Sequence, residues 1–168
     1  MRHLGGPWDR GRSWRHLAFL LGHWPLGGSG MWAAEHRETG AFLGKIGFSE
    51  PEGWPGCELA WYLVRRAWGC GYATEGARSA LDFAFTILKK DRVISLIEPA
   101  NLASIRVAER LGQSLQGRSG VLGRGLGLHL VYGIDREIWA GMPEPGRNED
   151  ANLRLRSRKV AADPQTAP

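Results

Sequence analysis

The sequence predicts an α/β (α+β) fold built on a mixed, mostly antiparallel sheet flanked by helices. Short strand-like runs recur at residues 31–35, 41–48, 58–64, 93–97, 114–117 and 128–134. Between the third and fourth, Ala77, Ala80, Leu81, Ala84, Phe85 and Leu88 repeat at the spacing of one helix face. A strand–helix–strand unit lodged among hairpin-like neighbours implies a mixed sheet with helical cover.

Each element has its own signal. Ser13 can cap a first helix carrying Trp14, Leu17, Ala18 and Leu21 on one side, with Pro25 past its end. Gly27, Gly28 and Gly30 form a link to two strands joined by the polar residues 36–40. A loop containing Pro51, Gly53, Pro55 and Gly56 leads to the third strand, and the strong helix starts near Thr74. The fourth strand ends at Glu98-Pro99. Asn101 then caps a shorter helix with Leu102, Ile105, Ala108 and Leu111 on one side, stopped by Gly112. From about Gly141 the apolar pattern ends and prolines appear, so residues 1–140 read as one domain and 141–168 as a disordered tail.

Composition narrows the function. No apolar run approaches the roughly 20 residues that a membrane-spanning helix needs. Gly5, Gly6, Pro7 and Asp9 break any leader-like stretch at the N-terminus. Cys57 and Cys70 lack metal or redox spacing and read as free thiols of a cytoplasmic protein, with no metal site expected. The net charge of +5 favours a polyanionic ligand. Part of it lies in Arg154, Arg156, Arg158 and Lys159, without the aromatic interleaving of a nucleic-acid surface.

The run Arg66-Ala67-Trp68-Gly69-Cys70-Gly71-Tyr72-Ala73-Thr74 sits between a strand and the strongest helix. Unpaired amides and the positive end of a helix dipole converge there, which suits a phosphate. Arg65 or Arg66 can add a charge-assisted contact. The alternative reading is a tight strand-to-helix turn that holds no ligand. A dinucleotide fingerprint fits poorly, because Thr74 stands at its third glycine.

These residues resemble the GNAT acetyltransferases, in particular the branch that acetylates protein N-termini and ribosomal proteins. Arg66-x-x-Gly69-x-Gly71 resembles the superfamily's pyrophosphate signature, and residues 101–112 (Asn-Leu-Ala-Ser-Ile-Arg-Val-Ala-Glu-Arg-Leu-Gly) resemble the branch's downstream helix. Gly44-x-Ile46-Gly47 and residues 58–61 also fit. The resemblance implies acetyl-CoA as co-substrate and direct transfer to an amine acceptor, a protein N-terminus or small molecule, within a ternary complex. It implies that the backbone from Arg66 through Trp68, Gly69, Cys70, Gly71, Tyr72 and Ala73 holds the pyrophosphate. The third strand, at Tyr62, Leu63 and Val64, would pair with the pantetheine arm and supply oxyanion donors.

Glu58 is the candidate base for the amine, against a reading as an exposed strand glutamate. Many family members protonate the thiolate with a downstream tyrosine, but Ala108 stands at that position. Ser104 is the substitute, with Asn101 orienting the cofactor; their alternative roles are helix-end satisfaction and N-capping. Tyr132 reads as core. The resemblance further implies that a first strand and helix, about 35–40 residues by usual element lengths, are absent, leaving residues 31–35 as an open sheet edge. Gln113 stands where the family carries an aromatic. A catalytically silent acyl-CoA-binding remnant and a nucleic-acid module are the alternative functions; an oligomer stays open.

Overall fold

The computed structural model describes residues 7–120, 128–143 and 153–156. In chain order the elements are α1 (Arg10–Gly27), β1 (Met31–His36), β2 (Phe42–Ser49), β3 (Glu58–Leu63), α2 (Tyr72–Thr86), β4 (Arg92–Ile97), α3 (Leu102–Arg110), β5 (Ser114–Ser119), β6 (His129–Asp135), α4 (Arg136–Gly141) and β7 (Leu153–Arg156). The strands form one sheet in the order β5-β6-β4-β3-β2-β1-β7. Only β3 and β4 are parallel neighbours; the other pairs are antiparallel. The mixed, mostly antiparallel sheet expected from the sequence is the one observed.

The core forms where α2 covers the sheet. Ala77, Ala80, Leu81 and Ala84 are fully buried and pack with Ile46, Leu59 and Val93. Small residues on the helix bring it close to the strands. A Cβ at Gly76 would stand 2.5 Å from both Ile46 Cδ1 and Leu153 Cδ2. Alternation along β2 and β3 turns Lys45, Ser49, Glu58 and Tyr62 to the opposite face, where α1 lies against Met31 and Lys45.

Four expectations change. Asp9, not Ser13, caps α1 by accepting from Arg12 N at 2.6 Å. The helix runs past Pro25 to a left-handed cap at Gly28. Residues 153–156, expected to be disordered, form β7 against Ala33–His36, so the edge expected to be open is paired there. The alternation Leu153-Arg154-Leu155-Arg156 explains this: both leucines reach the core cluster, and Arg156 meets Glu35 at 3.0 Å. Residues 136–141 form α4, too short a helix to declare itself by period. The remaining tail positions, Arg158 and Lys159 among them, lie outside the described residues.

Gln113, just after α3, is 3% exposed, and neither its amide nitrogen nor its amide oxygen has a partner. Burying unpaired amide atoms costs about 1–3 kcal/mol. Gln113→Met, near-equal in volume, should therefore raise unfolding free energy by roughly that amount in denaturant titration. A loss of stability would mean that the amide has a partner in solution.

Candidate active site

The parallel pair β3 and β4 shares a single register position, Glu58↔Ile94. Beyond it the strands part, although β3 continues to Leu63 and β4 to Ile97. The N–H of Val64 donates to Leu43 O at 2.9 Å. Alternate residues of a strand bond to opposite neighbours. Tyr62 and Ala60 therefore serve β2, whereas the main-chain groups of Trp61 and Leu63 turn toward the parted strand. Of the stretch from Tyr62 to Val64, the free amide falls at Leu63; its carbonyl accepts from Trp68 Nε1 at 2.9 Å.

Above the gap, residues 65–67 form one 3-10 turn and lead through Gly69 (φ 78°) and Gly71 (φ 84°) into α2. Both φ values favour glycine. A Cβ at either position would meet nothing within 4 Å, so the space before the turn is open. The N-terminus of α2 has no side-chain cap. Among the described residues, no hydrogen-bond acceptor takes the amides of 69–74. The two arginines are engaged elsewhere: Arg66 donates to Phe42 O at 2.8 Å, and the Arg65 guanidinium lies 4.9 Å from the Trp68 ring centroid. Arg66 thus offers the turn its backbone, not its charge. Cys70 is exposed; Tyr72 and Ala73 are half-buried.

Glu58 is buried, in contrast to an exposed strand glutamate. Its carboxylate accepts from Trp54 Nε1 at 2.8 Å. Burial pushes its pKa up to about 7, against partial opposition from hydrogen bonds from Trp54 and the Leu96 main chain. Sequence reasoning missed Trp54; the one available signal was an indole inside a loop otherwise rich in proline and glycine.

Across the gap, Asn101 Oδ1 accepts from Ser104 N at 3.2 Å, the N-cap expected from the sequence. The Ser104 hydroxyl accepts from Trp61 Nε1 at 3.2 Å, which leaves its own proton free to donate. Trp61 thereby reaches from β3 to α3, a contact that no sequence signal announced. Ala108 is fully buried and clusters with Ile97, Leu130 and Tyr132, so Tyr132 packs where core was expected. Cys57 is also buried, and burial above all pushes its thiol up to about 12.

The parallel pair thus opens beneath a glycine turn that has no side-chain cap, with a buried carboxyl beside it, in a mixed sheet covered by helices. The profile of the family described as Acetyltransferase (GNAT) domain matches residues 1–114, and the chain belongs to that family. A crystal structure of an acetyltransferase from Agrobacterium tumefaciens str. C58 is 34% identical, with TM-score 0.69 over 78% of this chain and 75% of that one. The protein YkkB of Bacillus subtilis (strain 168) is 42% identical over 87 residues, 51% of each chain. An N-acetyltransferase named p20 from Bacillus licheniformis is 32% identical over 82 residues, 48% of this chain and 46% of its own length. The matched segment thus spans about half the length of these two relatives. No helix among the described residues is long and apolar enough to cross a membrane.

The titration of Glu58 has a consequence for stability. Its folded pKa, about 7, lies above the ordinary value of 4.5. Its contribution is therefore fully present below pH 4.5 and is lost as pH rises through about 7. Glu58→Gln should flatten the pH dependence of unfolding free energy between these values; an unchanged slope would contradict the shifted carboxyl.

Proposed function

We propose that this chain is an acetyl-CoA-dependent N-acetyltransferase that transfers the acetyl group directly to a primary amine. The acceptor class is that of the N-terminal and ribosomal-protein acetyltransferase branch: a protein N-terminus or a small amine. The observation that carries the reading is the parting of β3 from β4 after Glu58↔Ile94. An exposed main-chain edge there can accept a linear amide-bearing arm as an added strand would.

Acetyl-CoA supplies the activated acyl group. Among the described residues the amides of 69–73 have no acceptor, and no neighbour crowds Gly69 or Gly71, so this turn fits a pyrophosphate at the start of α2. Asn101 orients the same co-substrate from α3. Glu58, with its pKa of about 7, takes the proton of the attacking amine directly or through water. The Leu63 amide, unused by β2, donates to the oxygen on which negative charge develops. Ser104 then delivers its free proton toward the departing sulfur. The high pKa of buried Cys57 disfavours it as an acyl carrier, which agrees with direct transfer.

The second reading, a catalytically silent acyl-CoA-binding protein, draws on α1. There Trp14, Leu17 and Leu21 are 69%, 54% and 51% exposed, an apolar surface that no described element covers. Free-thiol release from acetyl-CoA with an amine panel separates the two readings. Coenzyme A binding with thiol release supports the enzyme; binding without release supports the second.

Gly71→Val should reduce coenzyme A affinity at least 10-fold in calorimetry, because it strains a positive φ and fills the space before the amides. Glu58→Gln should lower kcat by roughly 100-fold or more while leaving coenzyme A affinity in place. The wild-type rate should rise with pH through about 7. A variant that retained the rate would remove Glu58 from the chemistry.

A further inference from the structure

On the face that carries Glu58, α1 and the sheet enclose a pocket walled by Phe19, Leu20, Met31 and Phe48, with Lys45 and Tyr62 lining it as well. Lys45 stands opposite Tyr62, and Ser49 opposite Glu58, on neighbouring strands. The Lys45 ammonium donates to His16 Nε2 at 2.5 Å and lies 4.7 Å from the Tyr62 ring centroid. Among the described residues, no carboxylate forms an ion pair with it. The other ring at this wall, His23, has both nitrogens engaged. Its Nδ1 bonds Ser29 O at 2.7 Å, and its Nε2 accepts from Glu50 N at 2.8 Å.

We propose that the acceptor is an amine carrying an anionic group several bonds from its nitrogen, with Lys45 as the specificity-determining residue that receives that group. The inference rests on the amine-transfer reading above and names the acceptor within it. A half-buried ammonium without a counter-ion is an unpaired charge that a carboxylate or phosphate relieves. Burial first, then the positive charges of Lys45 and Arg12, hold the His16 pKa below its ordinary value. Burial lowers Lys45 itself to about 8, which still leaves it mostly protonated at neutral pH.

The geometry sets a length. Tyr62 lies four strand steps along β3 from Glu58, roughly 13 Å between Cα atoms at strand spacing. The Glu58 carboxyl bonds to Trp54 and the Leu96 main chain, and Lys45 bonds to His16 on α1, so the proposed acceptor needs a spacer of several carbons. A polyamine would instead place its second ammonium against Lys45, a like-charge contact that disfavours it.

The test compares ω-amino acids of graded length, from 4-aminobutyrate to 6-aminohexanoate, with their amides, and 3-aminopropyl phosphate with 3-aminopropanol. The expected result is a kcat/KM at least about 10-fold higher for the anionic member of a pair, the size of a charge-assisted contact. Lys45→Met should abolish that preference without changing coenzyme A affinity. Preference for the phosphate pair alone would identify a phosphate as the natural anion, and preference for the amino acids a carboxylate; either supports the proposal. Equal rates for acid and amide, or a preference that survives Lys45→Met, would overturn it while leaving acetyl transfer standing. A readout without turnover is binding of N-acetyl-6-aminohexanoate against its amide by calorimetry. Acid-selective binding lost in Lys45→Met upholds the anion site even if no amine is acetylated, and indifference to the charge refutes it.

Discussion

The structure depends on one place where the sheet fails to close. Parallel neighbours ordinarily continue their ladder for as long as both strands last, yet β3 and β4 hold a single register pair and then diverge. Unpaired strand backbone is unfavourable unless water or a ligand satisfies it. The divergence is stabilised from outside the ladder: Ser95 Oγ donates to Leu59 O at 2.8 Å, and Trp61 reaches across to Ser104. The Glu58 carboxyl lies at the fork. Its burial there raises its pKa, while hydrogen bonds from Trp54 and the Leu96 main chain oppose the rise. The opening thus runs along β3 between Glu58 at its start and the Leu63 amide at its end.

Much of this was legible in the sequence because local chemistry announces it. Gly69 and Gly71 occupy backbone conformations that favour glycine, so their spacing survives as a readable mark. Asn101 caps α3 as its position before an amphipathic run suggests. Of the periodic positions read for α2, Ala77, Ala80, Leu81, Ala84 and Phe85 are buried on it, whereas Leu88 falls past its end at Thr86. Such features need only neighbours in the chain.

What escaped notice depends on partners far apart in sequence. Trp61 and Ser104 are 43 residues apart, and Lys45 and His16 are 29 apart. β7 was hidden for a different reason. Two leucines between arginines in a polar, proline-bearing segment carry too little apolar area to predict a strand by themselves. They become one only because β1 offers an edge and Glu75 accepts from Leu153 N at 2.9 Å. The same contact ties this edge strand to the first turn of α2, the helix at whose mouth the phosphate site is proposed.

In the proposed mechanism an alanine at 108, where the family resemblance implies a tyrosine, is chemically tolerable, and magnitudes explain why. An alkyl amine has a pKa of about 10.4, so only about one molecule in a few thousand is neutral at pH 7. A thiol near 8.5 already leaves a few per cent as thiolate at the same pH. Deprotonating the acceptor is therefore the more demanding task, and in the proposed mechanism it falls to a carboxyl raised by burial to about 7. Ala108 meanwhile fills a core position against Tyr132 and Leu130, where a larger phenol would have to displace one of them. On this reading the buried glutamate is the residue the site can least do without. The serine on α3 is an aid to departure that water can partly replace.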